Sequence, residues 1–185
     1  MRIIAGKHRS RKLLTLEGET TRPSSDRLKE AMFSRLGGFF DGGCWLDLFA
    51  GCGAIGLEAI SRGAEKVIFC DHDRNAQQVI EKNIALLKEE ERCELIKSDY
   101  RHAIDVCRQY DMVFDVIFLD PPYSLDIDTI AIEVLMADIL KDDGWLILEM
   151  NASRASSDRL GNCVRMKESK YGLGKTVWYK KESNQ

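Results

Sequence analysis

The sequence predicts an α/β protein, a mostly parallel sheet with helices on both faces, on three observations. Short apolar runs alternate with amphipathic stretches from residue 44 to residue 140. Two of the runs, Val67-Ile68-Phe69-Cys70 and Val116-Ile117-Phe118-Leu119, are apolar throughout, as strands buried on both faces are. A glycine-rich turn, Gly51-Cys52-Gly53-Ala54-Ile55-Gly56, joins the first apolar run to the first helical one. A length of 185 residues suits one domain of this kind, and 44% apolar residues is too rich for a disordered chain.

The elements follow in order. Residues 2–5 and 10–15 pattern as two short strands joined by a Gly-Lys-His-Arg-Ser turn. Pro23 opens a helix with Ser24 or Ser25 as its N-cap. Leu28, Ala31, Met32, Arg35 and Leu36 continue it at helical spacing, and Gly37-Gly38 ends it. Strands are then predicted over residues 44–48, 66–70, 93–97, 114–119 and 144–148, and helices over 54–62, 74–87, 101–109 and 128–140. Two last strand-like stretches, 163–167 and 176–180, lie close together and predict an antiparallel closure of the sheet. The chain thus reads as a basic hairpin-and-helix appendage, residues 1–40, on an α/β domain, residues 41–185.

Charge is uneven along the chain. Residues 1–30 hold eight basic side chains against four acids, whereas the whole chain carries −3, so the other 155 residues carry −7. The first twelve residues contain no acid. A basic arm on an acidic body is an electrostatic footprint for a polyanion, although a solvated edge looks the same by charge alone. No run approaches the roughly 18 apolar residues of a membrane span. The first residues lack the apolar core of a secretory signal, so a soluble, cytoplasmic protein is expected. Cys44, Cys52, Cys70, Cys93, Cys107 and Cys163 form no CxxC pair, and His8, His72 and His102 are scattered. The expectation is reduced core thiols and no metal.

Glycines 51, 53 and 56 spell GxGxxG between a strand and a helix, a pattern that most often seats a diphosphate on the helix N-terminus. Asp71 ends the next strand, 20 residues after Gly51, where it can accept from ribose hydroxyls. A nicotinamide-dependent oxidoreductase would show both features. Asp47 argues otherwise: a carboxylate just before the loop repels a diphosphate and suits an ammonium group. S-adenosylmethionine has an amino-acid moiety, a sulfonium and a ribose, and no phosphate. Asp99 ends the third strand and can accept from the adenine amine. Each acid singly could be a helix N-cap, the reading preferred for Asp73, but the set is coherent as a site for a cationic nucleoside.

The fourth strand runs into Asp120-Pro121-Pro122-Tyr123. Two prolines stiffen the turn and remove two backbone donors. Asp120 and the Pro121 carbonyl can accept from an exocyclic amine, whose delocalised lone pair makes it a poor nucleophile. Tyr123 can stack on its base. This is catalysis by orientation and electrostatics.

The run Asp47-Leu-Phe-Ala-Gly-Cys-Gly-Ala-Ile-Gly56 with Asp120-Pro-Pro-Tyr123 resembles the class I methyltransferases that modify exocyclic amines. Arg2-Ile-Ile-Ala-Gly-Lys7 and Arg22-Pro-Ser-Ser-Asp-Arg27 narrow the resemblance to the RsmD family, which methylates guanine N2 in small-subunit ribosomal RNA. The match runs from residue 2 to about residue 150. The resemblance implies a Rossmann-like seven-stranded sheet and S-adenosylmethionine as donor. It also implies 16S rRNA as substrate, in the 30S particle or an assembly intermediate. Asp47, Phe49, Ala50, Gly51, Gly53, Gly56, Asp71, His72, Asp99 and Tyr100 would line the cofactor, and Asp120, Pro121, Pro122 and Tyr123 would hold the guanine. Arg2, Lys7, Arg9, Arg11, Lys12, Arg22 and Arg27 would hold RNA. Departures are Cys52 where the family often has Ser, Ser24 where Thr is frequent, and a spaced-out Tyr171-Gly-Leu-Gly-Lys-Thr176, to which no role is assigned. The alternatives are a DNA adenine-N6 or cytosine-N4 methyltransferase, for whose target-recognition region the chain leaves little room, and an NAD-dependent oxidoreductase. A non-enzymatic RNA-binding module would leave the strand-end acids unexplained.

Overall fold

The structure is a computed structural model that describes residues 1–16 and 23–183. The side chains of residues 23–25, and with them the N-cap expected at Ser24 or Ser25, lie outside the described residues, as does Arg22. The chain divides into two compact units, Met1–Asp99 and Tyr100–Gln185.

The first unit contains α1 (Pro23–Arg35), β1 (Cys44–Asp47), α2 (Ala54–Ser61), β2 (Lys66–Cys70), α3 (Arg74–Leu87) and β3 (Cys93–Ile96). Its strands are parallel in the order β3-β2-β1, with Asp47 level with Phe69 and Cys70 with Ile96. Helix α1 ends as expected, with the Gly38 N–H bonded to the Phe33 carbonyl at 2.9 Å. It docks through Phe33, which stacks on Trp45 of β1 at 5.4 Å, while Phe40 tilts against the same indole at 5.1 Å.

The N-terminal strands are where expectation and structure differ most. Residues 2–5 and 10–15 form a hairpin-like turn with one isolated antiparallel bridge, Arg2 to Lys12, and no extended strands. The two stretches still exchange bonds, with the Ile3 N–H on the Arg11 carbonyl at 2.9 Å, the Ser10 N–H on the Ile3 carbonyl at 2.9 Å and the Leu13 N–H on the Met1 carbonyl at 3.1 Å. The pairing goes no further because the next donors are taken by α2. Ile4 and Ala5 give their N–H groups to the Glu58 carboxylate of α2 at 2.8 and 3.0 Å. Lys7 gives its own to the Ser61 carbonyl at 2.8 Å, and His8 to the Ser61 hydroxyl at 2.9 Å.

Glu58 is fully buried. Besides those two amides it binds Arg62 Nε at 2.7 Å and lies 3.7 Å from Lys29 Nζ of α1. Lys29 in turn donates to the Arg2 carbonyl. Burial pulls the Lys29 ammonium below the usual lysine range, against the opposing pull of Glu58 and Asp26. One carboxylate thus ties the arm and α1 to α2.

The second unit contains α4 (Tyr100–Gln109), β4 (Phe114–Leu119), α5 (Ile127–Met136), β5 (Leu140–Asn151), β6 (Arg159–Leu160), β7 (Cys163–Tyr171) and β8 (Gly174–Lys181). Its order is β4-β5-β8-β7-β6; β4 and β5 are parallel and the remaining pairs antiparallel, the closure expected from the sequence. Among the described residues there are eight strands, one more than the resemblance implies, the addition being the two-residue β6. Helix α5 stops at Met136, not at 140, and β5 begins at Leu140, not at 144. Tertiary pairing explains both: the Ile139 carbonyl takes the Phe114 N–H at 2.9 Å, and Leu140 pairs with Phe114.

None of the six cysteines is joined in a disulfide, and burial raises the Cys93 and Cys163 thiols to about 12 and about 11. Among the described residues no group of three His, Cys, Asp or Glu is placed to hold a metal, and no helix is long and apolar enough to cross a membrane.

Replacing Glu58 with Ala leaves the buried Arg62 guanidinium without its carboxylate and two half-buried amides without their acceptor. The expected loss is about 3–5 kcal/mol, by analogy with broken buried ion pairs, read as a lower urea midpoint. Amide exchange at Ile4 and Ala5 should accelerate in step; unchanged protection there would show that the arm is held by other contacts.

Candidate active site

The glycine loop follows β1 and is braced by two carboxylates. Asp47, 2% exposed at the end of β1, accepts the Gly56 N–H at 3.1 Å. Asp71, just after β2, accepts the Gly51 N–H at 2.8 Å on one oxygen and the Asp73 N–H at 2.9 Å on the other. Ala50 N–H reaches the Cys70 carbonyl at 2.9 Å, and Gly53 N–H closes the turn on the Ala50 carbonyl at 2.7 Å. Gly53 caps α2 in a left-handed conformation.

Two glycines are required for different reasons. Gly56 lets α2 lie against β2: a Cβ there would fall 2.3 Å from the Phe69 ring and 2.7 Å from Val67 Cγ1. Gly51 has φ +56° and nothing within 4 Å of its Cβ position, so the loop opens there onto free space that a ligand can approach. Asn83 of α3, fully buried, fixes the loop from below. Its amide donates to the Cys52 carbonyl at 2.9 Å and the Leu14 carbonyl at 3.0 Å, and accepts from the Leu14 N–H at 2.8 Å.

The loop chemistry bears on what it can bind. In a dinucleotide site the first turn of the helix turns its amides to a diphosphate. Here the Gly56 amide of α2 is taken by the Asp47 carboxylate. Asp71 and Asp99 are acceptors placed after β2 and β3, suited to hydroxyl and amine hydrogens. Phe49 is half-buried and Ala50 buried in the loop; His72 is exposed with Nδ1 3.7 Å from Asp71, and Asp99 is exposed. Asp73 is the N-cap of α3, accepting from Asn75 and Ala76 at 2.8 and 2.9 Å.

In the second unit, β4 ends at Leu119 and Asp120 emerges exposed. Pro121 is buried, and Tyr123 is 79% exposed, free to meet a flat ligand. The turn is held by the Leu125 N–H on the Pro122 carbonyl at 2.9 Å. Asp126 caps α5 through the Thr129 N–H at 3.2 Å and hydroxyl at 2.6 Å. Arg154 binds both Asp126 and Asp128, the latter at 3.0 Å. Hydrogen bonds from Thr129 and Arg154 hold the Asp126 carboxyl down to about 2. Tyr100 is buried at the start of α4.

Of the basic residues expected to hold RNA, Arg2 is paired with Asp26 at 3.2 Å and Lys7 with Glu89 at 2.9 Å. Burial raises the Glu89 carboxyl, but hydrogen bonds from Lys7 and His8 and the charge of Arg92 more than offset this and leave it below its ordinary range. Arg9, Arg11, Lys12 and Arg27 are exposed and make no ion pair among the described residues.

Sequence reading passed over three residues that the structure brings to these loops and turns: Glu58, Asn83 and Glu149. Glu149 has a visible signal. It is an acid following an apolar strand run, Trp145-Leu-Ile-Leu, the same placement as Asp47 and Asp120.

The chain matches the family described as Conserved hypothetical protein 95 over residues 1–180. It is 38% identical over 149 residues to ribosomal RNA small subunit methyltransferase D of Haemophilus influenzae, covering 79% of this chain and 73% of that protein. It is 34% identical over 146 residues to the protein of the same name in Escherichia coli K12, covering 79% and 69%. The chain belongs to the RsmD family. A solved structure of the Escherichia coli protein yhhF has a TM-score of 0.83 at 29% identity, covering 100% of this chain and 99% of that one. A Streptococcus pyogenes protein gives 0.78 at 32% identity, covering 83% and 95%. The fold is that of the class I methyltransferases, as the RsmD resemblance implied.

Gly56→Ala tests the close approach of α2 to β2. The added methyl should cost about 1–3 kcal/mol through overpacking against Phe69, read from urea unfolding. Stability equal to wild type would mean that the helix can shift away from β2 freely.

Proposed function

We propose that this RsmD-family chain methylates the exocyclic N2 amine of a guanine in small-subunit (16S) ribosomal RNA, with S-adenosylmethionine as donor and the 30S particle or an assembly intermediate as substrate. The observation that carries the reading is Asp120 standing exposed at the end of β4, followed by a stiff Pro-Pro turn and a Tyr123 ring open to solvent. The names of the Haemophilus influenzae and Escherichia coli relatives supply the RNA.

The cofactor supplies a methyl group activated by a sulfonium centre. The residues that would hold it are those of the braced loop. Gly51 opens space for it, Asp71 accepts from ribose hydroxyls, and Asp99 accepts from the adenine amine. Phe49, Ala50, Gly53 and His72 flank those positions, Tyr100 follows Asp99 along the chain, and Asp47 would meet the ammonium end while bracing Gly56. A diphosphate in this loop would meet the charge of Asp47, which already holds the Gly56 amide, and this disfavours the oxidoreductase alternative.

Asp120 and the Pro121 carbonyl accept the two amine hydrogens of guanine. Drawing both hydrogens toward fixed acceptors turns the nitrogen lone pair out of conjugation with the ring. The carboxylate is also where the displaced amine proton can go. Tyr123 holds the base by stacking, worth roughly 1–3 kcal/mol. A base inside structured RNA has to be exposed first. The appendage of residues 1–40 supplies phosphate contacts through Arg9, Arg11, Lys12 and Arg27, with Arg2 and Lys7 beside them and Arg22 in the adjoining stretch.

The test is incubation with labelled S-adenosylmethionine and 30S particles that lack endogenous methylation, followed by nucleoside analysis. Label is expected in N2-methylguanosine; label in a different nucleoside, or none, would overturn the assignment. Asp120→Ala should lower the rate by at least about a hundredfold while cofactor affinity, measured by calorimetry, stays within a few-fold. Full activity in that variant removes Asp120 from the chemistry.

Neutralising Arg9, Arg11 and Lys12 together should weaken RNA binding. It should also flatten the slope of log affinity against log salt by roughly 0.7–0.9 for each phosphate that is no longer neutralised. An unchanged slope would make the arm a solvated edge.

A further inference from the structure

Glu149 stands beside Asp120 by the geometry of the sheet. Strands β4 and β5 are parallel and in register up to Leu119 opposite Leu148. The next residue on each is Asp120 and Glu149, and laterally paired residues of neighbouring strands project to the same face. On its other side Glu149 pairs with Thr176 of β8, and its Oε1 lies 3.9 Å from where a Cβ on Gly174 would be. The two carboxyl groups differ in environment: Asp120 is exposed, whereas Glu149 is half-buried.

The remaining charges on elements packed against β5 are engaged elsewhere. On β4, Asp115 pairs with Lys141 at 2.9 Å. On β8, Lys175 pairs with Glu168 at 2.9 Å and Lys181 with Asp138 at 2.7 Å, and Lys180, opposite Trp145 at the other end of β5, lies over that indole at 4.7 Å. On α5, Asp128 pairs with Arg154 at 3.0 Å and Glu133 with Arg101 at 3.1 Å. Asp120 is therefore the charge that Glu149 meets.

We propose that Glu149 is a positioning residue for Asp120, its carboxylic O–H shared with the Asp120 carboxylate so that Asp120 stays ionised and fixed in direction as the acceptor for the guanine amine. Burial, and then the negative charge of Asp120, push the Glu149 carboxyl up to about 8, so it keeps its proton at neutral pH. Above that pH two adjacent carboxylates repel, and Asp120 turns away. The proposal rests on the reading of Asp120 as amine acceptor.

The sign of the stability effect is fixed. Between the ordinary glutamate range and about pH 8 the unfolded chain has lost this proton and the folded chain keeps it. Folding stability therefore falls as pH rises through that window and then levels off.

The experiment compares wild type, Glu149→Gln and Glu149→Leu in methyl transfer to unmethylated 30S particles from about pH 6 to about pH 9.5, together with urea unfolding at about pH 5 and about pH 8.5. Wild-type kcat/KM should fall above about pH 8. The Gln variant, whose amide N–H can donate but cannot ionise, should keep the neutral rate to within about tenfold and lose the alkaline fall. It should also gain stability over wild type at the alkaline pH more than at the acidic one. The Leu variant, with no donor, should lose about tenfold or more in kcat with cofactor affinity unchanged.

An alkaline fall that persists in the Gln variant, or a Gln variant with no added stability at alkaline pH, overturns the proposal. Asp120→Ala run alongside separates the two levels. If that variant is fully active, the functional reading itself fails. If it is inactive while Glu149→Gln titrates like wild type, only the positioning role fails.

Discussion

Carboxylate-to-amide bonds hold the glycine loop open. Asp47 takes the amide of Gly56 and Asp71 that of Gly51, so each end of the loop is anchored by an acid at the end of a strand. An unsupported glycine loop would be among the most mobile parts of the chain, because glycine restricts the backbone least. The bracing acids remove that freedom at the positions where a ligand's atoms must be met within a fraction of an ångström. They also set the sign of the local field. A helix N-terminus that elsewhere attracts phosphate is here met by a carboxylate, which suits the cationic ligand proposed for it.

The same use of backbone donors shapes the N-terminal arm. The Ile4, Ala5, Lys7 and His8 amides are satisfied by Glu58 and Ser61 on α2, so the arm is a short hydrogen-bonded turn welded to a helix. Asn83 joins the arm at Leu14 to the glycine loop at Cys52 through a single buried amide. Meanwhile Arg9, Arg11 and Lys12 stay outside this scaffold, with their charge available to a polyanion.

In the second unit the acceptor turn is stiff for reasons that do not depend on ligand. Proline limits its torsions, Leu125 closes it on the Pro122 carbonyl, and Arg154 pins the start of the following helix through Asp126 and Asp128. Behind it, burial and the neighbouring Asp120 charge push the Glu149 carboxyl upward, which supports the positioning role proposed for it. Rigid acceptors and a defined charge are what amine activation needs, since little covalent chemistry is left for the protein to do.

Residue order alone reveals the alternation of strands and helices, the glycine loop with its acids and the Asp-Pro-Pro-Tyr turn, because each is a local pattern: periodicity, a run of small residues, a pair of prolines. Helix α3 matches its predicted bounds of 74–87, and Asp73 caps it as read, since capping is a matter of three or four neighbouring residues. What local pattern could not reveal depends on partners far along the chain. The arm's pairing stays short because the next amides, those of Ile4 and Ala5, go to Glu58, more than 50 residues away. Residues 139 and 140 leave α5 because β4 claims them, Ile139 through its carbonyl and Leu140 as a strand partner. Glu149 looks like one more charged residue at a strand end until the register of β4 and β5 sets it level with Asp120. Hydrogen-bond competition, strand pairing and burial act between residues that only the folded chain brings together, and they decided these points.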